Sequence, residues 1–353
     1  MKYGLGIVGC GMIADFHAKA VNDLKNANLV GCFNIRYPSA KKFADKWNVT
    51  AHKTLESLLD DKDIHAISVC TPSGAHLEPA IAAAKAGKHV IVEKPLEVTL
   101  KKCDKIISAC EKNNVALATI FPSRFHKSCQ LLKTAIDAGK FGTLSLGDAY
   151  VKWYRTQQYY DSGQWRGTWE LDGGGALMNQ AIHSVDLLTW FMGPVVEVTA
   201  KTATRAHKRI EVEDIAAAVL RFENGALGVI EATTAAYPGW LKRIEIHGSH
   251  GSACIEEEDI TKWQFAKMTA KDKRIAFEYL NATDSGGGAS DPSTIGHAAH
   301  TEQFKDFFDA IKGNRTPKID GHEGRRSVEI IRGIYKSANS GKTVSLPLKS
   351  DRF

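Results

Sequence analysis

Residues 3–14 read YGLGIVGCGMIA, and this stretch decides the fold. The apolar run over 3–8 predicts a buried strand. Residues 9–14 then complete the pattern G-x-G-x-x-A, which predicts a tight turn that opens a helix. The first glycine permits the turn, the second lets the backbone approach a pyrophosphate, and the small last residue lets the helix pack against the strand. Amide groups at the start of the helix would face the phosphates, so the turn predicts dinucleotide binding, with a glycine turn that binds nothing as the alternative.

Strands and helices alternate through the first 120 residues. The expected strands are 3–8, 29–33, 66–70, 89–93 and 116–120, and this alternation predicts an α/β Rossmann domain with a doubly wound parallel sheet over 1–122. Longer strands follow at 144–154, 195–203, 215–222, 226–234, 243–248 and 253–256, with Asn224-Gly225 typical of a hairpin turn. We therefore predict a C-terminal α+β domain with a large, mostly antiparallel sheet over 123–353. This domain is expected to bind the substrate and to form a homodimer or homotetramer through its sheet; a polar face in a monomer is the alternative.

Composition narrows the class of protein. The chain has 353 residues, of which 43% are hydrophobic and 24% charged, as in ordinary globular proteins. No apolar run reaches the roughly 18–20 residues of a membrane helix, and the net charge of +6 is spread along the chain, so neither a membrane nor a nucleic-acid partner is expected. Seven cysteines without a C-x-x-C pair favour a reducing cytoplasm. The pairs His247/His250 and His297/His300 lack a metal-site signature, so no metal is expected.

The second expected strand ends at a position that selects the cofactor. Asn34 lies about 20 residues after the glycine turn, where an acidic residue usually binds the adenine ribose, and it can bind a ribose hydroxyl. Arg36 could attract a 2′-phosphate or stack on adenine, so NAD is favoured and NADP stays open. Two further loops, CTPSGAH over 70–76 and EKP over 93–95, follow parallel strands, where such sheets bind ligands. The predicted cofactor-binding residues are Gly9, Gly11, Met12, Ile13, Asn34, Arg36, Cys70, Thr71, Pro72, His76, Glu93, Lys94, Arg124 and Trp165.

Two residues are candidates for catalysis. Lys94 precedes a proline at the end of a strand, and its ammonium could polarise a substrate hydroxyl; a surface lysine is the alternative. His183 belongs to LDGGGALMNQAIHSVD over 171–186, where a helix follows three glycines. Asn179 is four residues earlier and is expected on the same helical face. An imidazole with a pKa near 6.5 suits a general base, although a histidine in an apolar helix is often a hydrogen-bonded core residue.

Aromatic residues cluster between 150 and 169, together with arginines. Aromatic faces suit a sugar ring, and guanidinium groups suit a carboxylate or phosphate, but dense aromatic packing would give the same composition. Both interpretations stay open. The predicted substrate-binding residues are Lys94, Tyr154, Arg155, Arg166, Asn179, Gln180 and His183.

Taken together, these motifs resemble the glucose–fructose oxidoreductase and inositol dehydrogenase (Gfo/Idh/MocA) family. The resemblance covers nearly the whole chain, from GCGMIA through CTPSGAH and EKP to GGG…N…H and the late EGRRS helix. It implies Lys94 and His183 as catalytic residues and a cis peptide bond before Pro95. Many members carry Asp where this chain has Asn179; an amide cannot relay a proton, so Lys94 and His183 must do so.

The residue pattern over 153–181 is similar to that of the family branch that oxidises UDP-N-acetylglucosaminuronate at the sugar 3-hydroxyl. The resemblance implies an NAD(P)-dependent dehydrogenase acting on a secondary hydroxyl, at C3, of a sugar, uronate or nucleotide sugar. The nicotinamide is expected between the two domains. An NAD-dependent glycosidase acting by oxidation and elimination is an alternative, and so is a non-catalytic NAD-binding regulator. The Gly- and Ser-rich residues 281–296 are expected to form a surface loop or a lid.

Overall fold

The computed structural model describes residues 2–280 and 296–352, so almost all of the predicted loop or lid lies outside the described residues. By their contacts, residues 2–122, 170–173 and 296–328 form a first compact unit, and residues 123–169, 174–280 and 329–352 form a second. The division into domains 1–122 and 123–353 stays a prediction from sequence.

The first unit contains the predicted parallel sheet. Its strands run in the order β3-β2-β1-β4-β5-β6, and every neighbouring pair is parallel. The doubly wound fold is therefore confirmed. The elements are β1 (Tyr3–Val8), α1 (Met12–Asn22), β2 (Ala27–Phe33), α2 (Tyr37–Trp47), β3 (Thr50–His52), α3 (Leu55–Leu59), β4 (Ala66–Val69), α4 (Leu77–Lys85), β5 (His89–Val92), α5 (Leu100–Lys112) and β6 (Leu117–Thr119).

The second unit contains a mostly antiparallel sheet, as predicted. Its eight strands run in the order β13-β12-β11-β7-β10-β9-β8-β14, and only β7 and β10 pair in parallel. The elements are α6 (Lys127–Asp137), β7 (Leu144–Lys152), α7 (Gln157–Asp161), α8 (Ile182–Met192), β8 (Val195–Ala203), β9 (Ile215–Phe222), β10 (Leu227–Thr233), β11 (Arg243–Gly248), β12 (Gly251–Glu256), β13 (Asp259–Phe265) and α9 (Ala270–Leu280). After α10 (Ala298–Lys312) and α11 (Gly321–Ser340), β14 (Val344–Ser345) completes its edge.

A late helix completes the core of the first unit. The α10 side chains Phe304, Phe307 and Phe308 are fully buried in the same cluster as Leu5 and Ile7 of β1. Burying a phenylalanine side chain contributes about 1.5–3 kcal/mol. Residues about 300 positions from the first strand are therefore part of its packing.

The sheet of the second unit has one covered and one open face. Gly147 lies against Met192 of α8, so its neighbour Leu146 points to the opposite face. Leu146 is paired in register with Leu227, and with Val219 these side chains are 37%, 47% and 52% exposed. We call the surface containing Leu146, Val219 and Leu227 the open face.

Two expectations from composition can be compared with the structure. All seven cysteines carry free thiols. Within residues 2–280 and 296–352, no helix combines the length and apolar character needed to cross a bilayer. The cytoplasmic location stays a prediction.

Candidate active site

The glycine turn between β1 and α1 has the geometry that a dinucleotide needs. Gly9 has a φ of +95°, and a Cβ there would lie 2.7 Å from the main chain of Cys70, so only glycine fits. Gly11 precedes α1 without a capping side chain, and a Cβ added to it would meet nothing within 4 Å. The first amide groups of a helix lack partners within the helix, so an anion can bind them. These residues fit a pyrophosphate.

Asn34 braces this turn from the end of β2. Its Oδ1 accepts a hydrogen bond from the Cys10 amide at 3.3 Å, and its Nδ2 donates to the Arg36 carbonyl at 3.2 Å. Arg36 itself is exposed. Asn34 therefore shapes the loop that was predicted to bind the ribose; the ribose contact stays a prediction.

The loop after β4 is fixed by His76. The His76 ring is 1% exposed, and its nitrogens lie 2.9 Å from the Pro95 carbonyl and 3.0 Å from the Thr71 carbonyl. Burial lowers the pKa of His76, while these two carbonyls oppose the shift. His76 thus ties the loop after β4 to the loop after β5, a structural role beside its predicted contact with the cofactor.

Lys94 is the only residue from Val90 to Val98 that is not buried. The Lys94–Pro95 peptide bond is cis, as the family resemblance implied. The Lys94 amide donates to Glu93 Oε2 at 3.0 Å, and Glu93 Oε1 lies 2.7 Å from His17 Nε2. Both oxygens of the Glu93 carboxylate are therefore engaged within the protein, and its contact with the cofactor stays a prediction.

His17, which was not predicted as a site residue, contacts Glu93 next to Lys94. The ring is fully buried, and its Nδ1 lies 2.6 Å from Ser68 Oγ. Burial alone would lower the pKa of His17, but contacts with Cys70 and Glu93 outweigh it and raise the pKa to about 10. Burial would raise the pKa of Glu93, but the hydrogen bond and charge of His17 lower it to about 2. The sequence does carry a signal for a buried His17: it lies three positions after Ala14 and four before Val21, so it falls on the buried face of α1.

In the second unit, a buried carboxylate holds the glycine run before His183. The Glu213 side chain accepts hydrogen bonds from the amides of Gly175 at 2.9 Å and Leu177 at 2.8 Å, and the Tyr335 hydroxyl donates to it at 3.1 Å. Burial raises the pKa of Glu213 to about 7, against these donors. A Cβ on Gly175 would lie 1.8 Å from the Glu213 carbonyl oxygen, so the chain needs glycine there.

A single regular helix was expected after the glycines, but the structure does not have one continuous α-helix there. Residues Ala176–Ala181 form a π-helical turn, and α8 begins only at Ile182. Because a π turn holds more residues than an α turn, the four-residue spacing of Asn179 and His183 does not by itself place them on one face. What distinguishes this turn from a regular α-helix start is its contacts with Glu213, a residue that is distant in sequence.

His183 is the one residue from Ala181 to Thr189 that is not buried. A histidine buried in the core, the alternative from sequence, would not have this exposure. One turn later, the Asp186 carboxylate accepts two hydrogen bonds from Arg124, from Nε at 2.8 Å and Nη2 at 2.6 Å. Asp186 is fully buried and Arg124 is 5% exposed, so this predicted cofactor residue is engaged in an ion pair that anchors the helix of His183.

Three of the predicted substrate residues of the second unit, Arg155, Asn179 and Gln180, form one polar network. Arg155 Nη2 donates to Gln180 Oε1 at 2.9 Å, and Gln180 Nε2 donates to Asn179 Oδ1 at 2.9 Å and to the Tyr159 hydroxyl at 3.0 Å. Arg155 is only 3% exposed, whereas Asn179 is partly exposed. Arg155 therefore orients the side-chain amides of Gln180 and Asn179 from the buried side, and Asn179 is the accessible end of the network.

A second cation lies on the aromatic cluster. The Arg166 guanidinium carbon is 4.8 Å from the Tyr159 ring centroid and 4.7 Å from that of Trp165, and all three side chains are partly exposed. Tyr154 packs edge-to-face on Tyr237 at 5.2 Å. The cluster therefore combines packing with an accessible cation, and both interpretations from the sequence apply to parts of it.

Two groups of side chains bring potential metal ligands within 4.8 Å of one another among the described residues. In the first, His17, Glu93 and His300, hydrogen bonds already engage both ring nitrogens of His17. The second is Asp148, Glu245 and His247, where Arg243 Nε pairs with Glu245 at 2.7 Å. Both donor sets resemble hydrogen-bonded ion-pair networks, and the expectation of no metal stays a prediction.

Two family models match this chain, and several known proteins are similar to it. A family model described as an oxidoreductase family with an NAD-binding Rossmann fold matches residues 3–121, and a model of the GFO/IDH/MocA C-terminal domain matches 129–254. The WlbA dehydrogenase of Bordetella pertussis, solved with NADH and UDP-GlcNAcA, superposes with a TM-score of 0.88 at 34% identity, over 99% of this chain and 100% of that chain. The WlbA dehydrogenase of Chromobacterium violaceum, solved with the same two ligands, superposes with a TM-score of 0.88 at 34% identity, over 99% of this chain and 97% of that chain. Myo-inositol 2-dehydrogenase of Thermotoga maritima is 27% identical over 97% of this chain and 98% of its own length.

Proposed function

This chain belongs to the Gfo/Idh/MocA family of NAD-dependent oxidoreductases, and from that premise we propose that it oxidises the 3-hydroxyl of a nucleotide-sugar uronate of the UDP-N-acetylglucosaminuronate type. The family and its NAD-binding Rossmann match make NAD the cofactor. The two WlbA structures, solved with UDP-GlcNAcA, support the choice of substrate class.

The observation that carries the catalytic assignment is the exposure of two side chains. Lys94 and His183 are each the one accessible residue in a long buried stretch. Lys94 is also fixed by a buried carboxylate, because its amide donates to Glu93, and Glu213 accepts from the Leu177 amide in the turn that precedes the helix of His183. Such placement is expected of residues that touch a substrate.

We assign the roles as follows. His183 removes the proton of the substrate hydroxyl, because a neutral imidazole is the base suited to neutral pH. The Lys94 ammonium donates a hydrogen bond to the same oxygen and stabilises the negative charge that develops there. Bound at the glycine turn, NAD would accept the hydride from the carbon that carries this oxygen. Asn179 cannot relay a proton, so its amide orients the substrate.

The cations of the second unit would bind the acidic parts of the substrate. Arg166 is partly exposed and can pair with a carboxylate or phosphate without losing its aromatic contacts. Arg155 is buried and acts through Gln180, so its effect on substrate is indirect. Tyr154 is partly exposed and can contact the sugar ring.

We also propose that the open face joins copies of this chain into a homo-oligomer. Leu146, Val219 and Leu227 expose between 37% and 52% of their surface side by side on a regular sheet. Apolar groups in such a row are stabilised when a second copy covers them. Light scattering at micromolar concentration should give a multiple of the 38.6 kDa chain; a monomeric mass would contradict this proposal.

The function is tested by a substrate screen and two variants. The wild-type protein should reduce NAD with UDP-N-acetylglucosaminuronate faster than with UDP-N-acetylglucosamine, glucuronate, myo-inositol or levoglucosan, and faster with NAD than with NADP. Lys94→Ala and His183→Ala should each lower turnover at least about 100-fold while NADH still binds. The matched controls are Lys85→Ala and His322→Ala, both exposed, which should keep wild-type turnover. Near-normal turnover in either test variant would exclude that residue's role, and aglycone release without net NADH would indicate the glycosidase reaction instead.

A further inference from the structure

We propose that the buried pair of His17 and Glu93 is a positioning device for Lys94, which ties the lysine to the helix that begins at the dinucleotide turn. The inference rests on the catalytic role proposed above for Lys94. Neither residue of the pair is assigned to contact the substrate; both act through Lys94.

The contacts form a continuous chain of three links. The His17 ring pairs with Glu93 Oε1 at 2.7 Å, and Glu93 Oε2 accepts from the main-chain amide of Lys94 at 3.0 Å. The two oxygens of one carboxylate thus join α1 to the backbone of Lys94. On its other side, the His17 ring is fixed by Ser68 Oγ at 2.6 Å. The carboxylate therefore has little freedom to rotate.

Stability alone does not explain an ion pair at this place. His17 is fully buried and Glu93 is 6% exposed. A buried pair often contributes no more than apolar side chains of similar volume would, because both charges lose their hydration. The ring also packs edge-to-face on Phe304 at 5.1 Å, so one side of its surroundings is apolar. What the pair adds is direction, because a charged hydrogen bond fixes where the Glu93 oxygens point.

The pair also links the cofactor site with Lys94. His17 lies five residues into α1 from Met12, about 7.5 Å along the axis at about 1.5 Å per residue. A helix of 11 residues moves as a rigid element, so any displacement at its phosphate-facing end reaches Glu93 through the His17 ring. The position of Lys94 is therefore expected to depend on how α1 is seated.

The first test separates positioning from folding. His17→Leu keeps the volume and removes the hydrogen bond to Glu93, whereas His17→Gln retains an amide donor. Val21→Ala is the matched control, because Val21 is buried one turn later on the same face of α1. We expect kcat per NADH-binding site to fall about 10–100-fold in His17→Leu, with KM and the NADH Kd within about threefold of wild type, since small misplacements near the reacting atoms have effects of this size. His17→Gln should recover part of the loss, and Val21→Ala should keep wild-type kcat per site.

The second test does not depend on turnover. Hydrogen exchange of the Lys94 amide, read at residue level by mass spectrometry, should be slow in wild type because the amide donates to Glu93. It should speed up at least about tenfold in His17→Leu and stay unchanged in Val21→Ala.

These outcomes distinguish the inference from the proposed function. If wild type oxidises no sugar, the function fails, while the exchange result still decides the inference. If turnover is present but His17→Leu matches Val21→Ala in both kcat and exchange, the inference is overturned and the function stands. Should His17→Leu not fold, Glu93→Gln replaces it: a fall of about tenfold in kcat with NADH binding retained supports the inference, and unchanged kcat overturns it.

Discussion

Replacing Arg124 with methionine should destabilise the second unit strongly. Arg124 makes two hydrogen bonds to Asp186, at 2.8 and 2.6 Å, and Asp186 is fully buried. Arg124→Met leaves that carboxylate buried without its cationic partner, which costs about 3–5 kcal/mol. The lost guanidinium contact with Trp190, 5.4 Å from the ring centroid, adds about 0.5–1 kcal/mol. At about 2–4 °C per kcal/mol for a unit of this size, the melting temperature should fall by about 7–24 °C.

The assay is thermal and urea unfolding of Arg124→Met, Asp186→Leu and the double variant at one protein concentration. The double variant removes both charges, so it should be more stable than the sum of the single effects predicts. A loss below about 1 kcal/mol in Arg124→Met, or strict additivity, would refute the reasoning. The same variants test the predicted cofactor contact: an NADH Kd that rises without loss of stability would favour it over the structural role.

Three further predictions concern a glycine, a histidine and the open face. Gly175→Ala should lower both stability and turnover, because a Cβ would lie 1.8 Å from the Glu213 carbonyl oxygen. Gly139→Ala is the control for backbone strain alone, because Gly139 has a φ of +70° and open space around a Cβ. Equal losses in the two variants would contradict the steric argument. The pKa of His17 is raised above its value in the unfolded chain, so the stabilisation from its charge is fully present below about pH 6.5 and is lost as the pH rises through about 10. The difference in melting temperature between wild type and His17→Leu should therefore shrink from pH 7 to pH 10. A constant difference would exclude a charged His17. Val219→Asp should reduce the mass measured by light scattering, whereas Glu223→Gln, exposed outside the strands, should not; an unchanged mass in Val219→Asp would exclude this face as the interface.

Elements with a strong local pattern were predictable from sequence. The apolar run that forms β1 and the alternation in β9, Ile215–Phe222, gave strands at their observed bounds. Three strands of the described residues were not predicted: β3, β13 and β14. Strand β3, Thr50–His52, is three residues long and nowhere buried, so it has no apolar signal. It forms because β2 offers a free edge, which is a property of the sheet and not of those residues.

The site divides in the same way. Gly9 was predictable because a motif states the requirement for a turn, and Lys94 because proline and strand end coincide. Glu213 could not be foreseen, because its carboxylate acts on amides about 36–38 residues earlier in the chain. The π-helical turn begins at those contacts, so the regular spacing of Asn179 and His183 does not by itself place them on one face. Long-range polar contacts of this kind leave no periodic trace.

The position of α10 has a consequence for synthesis on the ribosome. The parallel sheet is complete in sequence by Thr119, yet its cluster lacks Phe304, Phe307 and Phe308 until the chain is much longer. At about 5–20 residues per second, the interval between these points lasts roughly 10–40 s. During that time the nascent Rossmann half presents a bare apolar surface, which is the kind of surface that chaperones bind. Truncation before α10 is thus expected to yield an aggregating fragment rather than a small nucleotide-binding domain.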